Sequence, residues 1–183
     1  MAKKDLPDIE TLRQLFRYDV ETGKLYWLER NPSMFKDGFY SAKQTCARWN
    51  SINANNECGC INKNDYVAIR INRKKYYAHR IIWALFNNEK EEVEIDHING
   101  NKQDNRIVNL RKVTRTQNNW NARARKDSST NVRGVYPYKN KWRASITVNE
   151  QRIYLGDFFE FEKAVAARKD AELKYYGEYA RAS

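Results

Sequence analysis

The chain has 183 residues, enough for one medium domain or two to three small ones, each with a modest core. Thirty-four Lys and Arg against twenty-three Asp and Glu leave a formal charge of +11, which suits a polyanionic partner, with nucleic acid ahead of an anionic membrane surface. No apolar run reaches the roughly 18 residues of a membrane span, and Met1-Ala-Lys-Lys-Asp-Leu-Pro7 lacks the apolar stretch of a secretory signal, so a soluble intracellular protein is expected.

In chain order, Pro7-Asp8 starts a short amphipathic helix with Ile9, Leu12, Leu15 and Phe16 on one stripe. Tyr18 to Trp27 carries a Thr-Gly turn between apolar and aromatic residues and predicts a hairpin, and Tyr66–Ile71 with Lys74–Tyr77 predicts further paired strands. Residues 29–62, rich in Asn, Lys and Ser, give only weak signals. The cysteines Cys46, Cys58 and Cys60 are odd in number, and no second cysteine pair or histidine cluster completes a zinc site around Cys58-Gly-Cys60. Free thiols without a metal role are expected.

His79-Arg-Ile-Ile-Trp-Ala-Leu-Phe86 predicts a buried helix, with His79 a structural histidine, and an acidic turn from Glu89 to Glu94 leads into Ile95-Asp96-His97. From Asn101 to Lys126 the chain is basic: Lys102, Arg106, Arg111, Lys112, Arg115, Arg123, Arg125 and Lys126 face the single acid Asp104. Small polar residues then mark a linker at 127–131. Beyond it, Trp142, Ala144, Ile146 and Val148 alternate strictly with Arg143, Ser145, Thr147 and Asn149, as in a half-buried strand. Strands at Arg133–Tyr138 and Arg152–Phe158 flank it, and a helix from about Glu160 stops at Gly177. The expected fold class is α+β: an N-terminal helix and hairpin region (1–62), a central core (63–126), the linker, and a three-stranded antiparallel sheet packed on one helix (132–183).

The informative stretch is Ile95-Asp-His-Ile-Asn-Gly-Asn-Lys-Gln-Asp-Asn-Arg-Ile-Val-Asn-Leu-Arg-Lys-Val-Thr-Arg-Thr-Gln-Asn118. A strand ending at Asp96-His97, a turn at Asn99-Gly-Asn101, a return strand near Asn109–Val113 and a helix capped by Thr114 and Gln117 follow from its residue types. The stretch resembles the ββα-metal, or His-Me finger, motif of HNH endonucleases of the phage and intron-encoded homing type. Tyr76-Tyr-Ala-His-Arg80 extends the likeness through about residues 66–121, and residues 8–30 match more loosely.

The resemblance implies a phosphodiester hydrolase acting on double-stranded DNA. His97 would be the general base and Asn109 its positioning partner, with Asp96 and Asn118 as ligands of one divalent cation. The third motif residue is Asn rather than His, and Asn119 and Asn121 are less favoured substitutes. A carboxylate and an amide oxygen suit Mg²⁺ or Mn²⁺, the imidazole can take a proton from water, and the cation can absorb charge on the scissile phosphate.

Residues 131–180 resemble the APETALA2-type DNA-binding domain through Arg133-Gly-Val135, Trp142-Arg-Ala-Ser-Ile146, Tyr154-Leu-Gly-Asp-Phe158 and Ala164-Val-Ala-Ala167 to Gly177. In that fold the polar face of the sheet enters the major groove, which nominates Arg133, Tyr136, Tyr138, Arg143, Ser145, Thr147, Arg152 and Tyr154. Arg111, Arg115, Arg123 and Arg125 would follow phosphates. The expectation is a nuclease acting in the cytoplasm of a bacterial or phage-infected cell, without an obligate protein partner, as a monomer that nicks. The alternatives are a noncatalytic DNA-binding regulator that retains the HNH scaffold, and an RNA-binding protein, which would lack an aromatic ribonucleoprotein motif.

Overall fold

The computed structural model describes residues 5–90, 94–121 and 129–180. The chain divides into two compact units, Met1–Val113 and Thr114–Ser183, both built from helices and small antiparallel sheets. The fold class is the α+β one expected.

In the first unit, Asp8 caps α1 (Ile9–Leu15) by accepting from the Thr11 N–H at 2.7 Å. The hairpin β1 (Phe16–Asp19) and β2 (Lys24–Trp27) follows, with Phe16 opposite Trp27 and Asp19 opposite Lys24. Its turn is closed by Asp19 Oδ1, which accepts from the N–H groups of Glu21 and Thr22.

The stretch whose sequence gives only weak signals contains a twelve-residue helix, α2 (Ala42–Asn53). Its apolar periodicity is weak, but Ser41 and Gln44 form a complete capping box. Asn50 anchors it to the hairpin side, accepting from the Arg30 N–H at 2.9 Å and donating to the Arg30 carbonyl at 3.0 Å. The Arg30 guanidinium lies over the Trp49 ring at 3.8 Å.

Strands β3 (Cys60–Ile61), β4 (Val67–Ile71) and β5 (Lys74–Tyr77) form one sheet, in that order. Chain then enters α3 (Ala78–Asn87) directly, where Ile81, Ile82 and Ala84 are fully buried. With Leu12, Phe16, Leu25, Ile69, Ile95 and Leu110 they make one continuous core. Against that core lies the ribbon of β6 (Glu94–His97) and β7 (Leu110–Val113), with Asp96 opposite Arg111 and His97 opposite Leu110.

The second unit starts at α4 (Arg115–Trp120), which Thr114 and Gln117 cap as expected. The division therefore falls ahead of the expected 127–131 linker. Trp120 accounts for this, since its ring stacks on Tyr176 at 4.8 Å and 7°. Strands β8 (Val135–Tyr138), β9 (Lys141–Val148) and β10 (Gln151–Phe158) form a sheet ordered β10-β9-β8. α5 (Phe161–Tyr176) covers its apolar face and ends at Gly177. Ala144 and Ile146 pack there with Val135, Ala164 and Ala171. Arg168, buried in the middle of α5, donates to the Ser145 carbonyl at 2.7 Å and to Glu172 at 2.9 Å. Among the described residues, no helix is long and apolar enough to cross a membrane.

Because α2 has so little apolar pattern, its cap matters more than usual. Ser41→Ala is expected to lower the stability of the first unit by about 1 kcal/mol, measured by urea titration, with Ser41→Asp retaining most of it.

Candidate active site and nucleic-acid face

Asp96 and His97 end β6, where strand alternation sends them to opposite faces. Both are enclosed, with His97 only 3% exposed. The His97 ring stands edge-on to that of His79 at 5.0 Å, and Tyr66 and Tyr77 complete the wall, Tyr77 stacking on His79 at 5.7 Å. His79 begins α3 and is buried, so it lines the site rather than lying apart from it. Burial holds its imidazole well below the ordinary value, and so neutral. Burial lowers His97 too, against the opposing hydrogen bond from Asn105. A neutral imidazole is the form that can accept a proton.

Asn105 is the residue bonded to the His97 ring. Its Oδ1 lies 3.0 Å from His97 Nε2, and its Nδ2 donates to the Gln103 carbonyl at 3.2 Å. Because the amide nitrogen is committed to a carbonyl, the oxygen must be the group facing the ring. It follows that Nε2 carries the proton and Nδ1 the lone pair. Sequence reasoning assigned this orienting role to Asn109, and here the geometry differs. Asn109 Oδ1 accepts from the Asn99 N–H at 3.0 Å, and its Nδ2 donates to Asn99 Oδ1 at 3.0 Å and to the Asp104 carbonyl at 2.8 Å. Asn109 thus braces the loop that carries Asn105, and acts on His97 through that loop. Asn105 was missed because asparagine is abundant in this stretch and its types alone do not rank them.

Asp104 completes the brace. Its carboxylate accepts from Arg106 Nε at 2.8 Å and Nη2 at 2.7 Å, and from Asn99 Nδ2 at 2.9 Å. The Arg106 donors foremost hold its pKa down, to about 2.

Asp96 faces Arg111 across the ribbon. Its Oδ2 accepts from Arg111 Nε at 3.1 Å and Nη2 at 3.0 Å, both side chains being nearly enclosed. Arg111, expected to follow phosphates, is directed instead at the candidate metal ligand. Asn118 lies in the second unit, on α4, where its N–H closes the first turn on the Thr114 carbonyl at 2.9 Å. Arg115 is exposed on the same helix. Arg123 and Arg125 lie outside the described residues. Among the described residues, no three His, Cys, Asp or Glu side chains converge as a metal cluster. A carboxylate with amide oxygens is a donor set for a hard cation. The Cys58 thiol donates to the Leu25 carbonyl at 3.1 Å, and burial pushes its pKa up to about 12, which keeps it protonated.

On the second unit, the nominated polar residues of β8–β10 share one face of the sheet. Tyr136 pairs with Arg143, Arg152 with Thr147, and Tyr154 with Ser145. Arg152 donates to Tyr136 Oη at 2.7 Å and to Ser145 Oγ at 3.1 Å. Ser145 is consequently buried under Arg152, while Thr147 and Tyr154 are exposed. Arg133 donates to the Asn119 carbonyl. Arg143 lies over the Tyr138 ring at 3.4 Å, and its Nε and Nη2 both donate to Asp157, each at 2.7 Å. The Arg143 fork, nominated for DNA contact, is here paired with a carboxylate. Asp157 was invisible to strand alternation because a bulge between Tyr154 and Gly156 shifts the register and turns it onto the polar face opposite Arg143.

Two stability measurements check this geometry. Arg111→Met should cost about 3–5 kcal/mol, since it removes the guanidinium from the nearly enclosed Asp96 carboxylate, and adding Asp96→Asn should recover most of it. Asp104, depressed in the folded state, stabilises fully above the ordinary carboxyl range near pH 4 and loses that contribution as pH falls toward about 2. The stability gap between wild type and Asp104→Asn is thus expected to be widest near neutrality and to narrow through that window in urea titrations.

Comparison with known proteins gives three results. No curated protein matches. A solved structure, described as DNA binding and cleavage by the HNH homing endonuclease I-HmuI, matches at 22% identity and a TM-score of 0.38, over 61% of this chain and 53% of that one, so the chain spans about half its length. Residues 76–120, which carry α3, β6, β7 and α4 with Asp96, His97, Asn105, Asn109 and Asn118, match the family model for HNH endonucleases.

Proposed function

We propose that this chain is a divalent-metal-dependent DNA endonuclease in which His97 is the general base. The observation that carries the reading is the His97 imidazole, held neutral by burial and oriented by Asn105 beside Asp96, within the segment that matches HNH endonucleases. With its proton on Nε2, the ring accepts a proton from water at Nδ1 as water attacks the scissile phosphorus. Asp96, with Asn118 nominated by motif spacing, would hold one Mg²⁺ or Mn²⁺, which supplies Lewis-acid stabilisation of the phosphate charge and of the leaving oxygen.

The charge of +11 favours a polyanionic substrate. The polar face of β8–β10, with Arg152, Thr147, Tyr136 and Tyr154, would dock duplex DNA in the manner of an APETALA2-like sheet, with Arg115, Arg123, Arg125 and Arg133 on phosphates. The one such constellation among the described residues would suit a monomer that cuts one strand per encounter. A noncatalytic DNA-binding role draws on one observation, the Arg111 fork that occupies Asp96.

Supercoiled plasmid separates the two. Wild type with Mg²⁺ or Mn²⁺ is expected to give relaxed circles before linear product, and a chelator to stop it. His97→Ala should lower the rate by about 10²–10⁴-fold while retaining DNA retardation in a gel. Undiminished cleavage by that variant would sink the assigned mechanism, and inert wild type that still binds DNA would support the noncatalytic role.

A further inference from the structure

The Asn105 carboxamide is not fixed by its own loop alone. Tyr18, on β1, places its hydroxyl between two main-chain groups of that loop, donating to the Asn105 carbonyl at 3.2 Å and accepting from the Ile107 N–H at 2.9 Å. Burial raises the Tyr18 phenol above its ordinary value, so the hydroxyl keeps the proton it donates. On the adjoining turn, Gly23 has a φ of +72°, and a Cβ built there would lie 2.4 Å from the Arg106 nitrogen and 2.7 Å from the Asn105 carbonyl carbon. The turn backbone is therefore pressed against the loop backbone at the residue that meets His97. These contacts span more than eighty residues of sequence, and Asn105 itself is 3% exposed.

We propose that the β1–β2 hairpin is a positioning element for the base: Tyr18 and Gly23 fix the Asn105–Ile107 backbone so that Asn105 Oδ1 holds His97 as its Nε2–H tautomer. This rests on His97 acting as the base. Tyr18 and Asn105 are positioning residues that touch no reacting atom, and their effect passes through one imidazole nitrogen. A hairpin that served only to complete the core would need neither the hydroxyl on β1 nor the backbone contact at Gly23, because Phe16 and Leu25 already bury its apolar side.

The test reads the tautomer directly. The chain has two histidines, so ring ¹⁵N shifts of the full-length protein, recorded above the imidazole titration range, resolve His97 by difference with His97→Ala. Wild type is expected to show the proton on Nε2. Asn105→Asp, which keeps an acceptor, should retain that state, whereas Asn105→Leu should give mixed tautomers and a kcat for plasmid relaxation lower by about 10–100-fold, with KM little changed. Tyr18→Phe, which removes one oxygen, should shift the tautomer in the same direction with a smaller loss of kcat. If Asn105→Leu does not fold, Tyr18→Phe decides. A wild-type proton on Nδ1, or a folded Tyr18→Phe with wild-type tautomer and kcat, overturns the proposal. If the tautomers behave as expected but wild type cuts no DNA, the positioning stands and the nuclease reading fails.

Discussion

The hydrogen bond between His97 and the Asn105 carboxamide constrains most of the first unit. An imidazole enclosed by Tyr66, Tyr77 and His79 has little water to satisfy its ring nitrogens, so a protein group must take one of them. The acceptor has to come from the loop between β6 and β7, the loop has to hold its shape, and other elements have to press on it from behind. The core of α1, α3 and the hairpin supplies the pressure, through Tyr18 and Gly23.

The loop itself is built by a different physics from the core. From Ile98 to Asn109, few apolar side chains turn inward, and order comes from Asn99, Asp104 and Asn109 bonding to one another and to main-chain groups. Such networks are cooperative: each amide is oriented by two others, and removing one leaves buried donors unsatisfied. Asn109 sets the position of Asn105, and Asn105 sets the state of His97. The aromatic wall adds a low-dielectric surround, which keeps both imidazoles neutral and strengthens the bond between amide and ring.

Much of this was legible in the residues, for identifiable reasons. Strict alternation in Trp142–Val148, the apolar stripe of α1, the buried run of α3 and the Thr114–Gln117 cap each rest on a local period or a local hydrogen bond, and each is found where expected. α2 escaped because its contacts are aromatic stacking and amide bonds rather than an apolar stripe, although its Ser41–Gln44 cap was there to be read. The site was legible in type but not in contact: Asp96 and His97 sit together on β6, whereas the partner of His97 had to be chosen among several asparagines. Arg111 likewise counted as a basic residue in a basic run, and only cross-strand register reveals that it faces Asp96.

The bulge in β10 carries its own consequence. In a regular strand, the residue opposite Arg143 would be Gly156, and the polar face would present an uncompensated guanidinium. One extra backbone unit brings Asp157 there, so the charge of the surface is decided by backbone count, not by composition. A chain with one residue fewer between Tyr154 and Asp157 would set its aspartate opposite Arg143 in regular register, whereas one of this length without the bulge would leave Arg143 facing Gly156. Homologues of this unit should therefore be compared by the register of that segment before they are compared by the arginines they share.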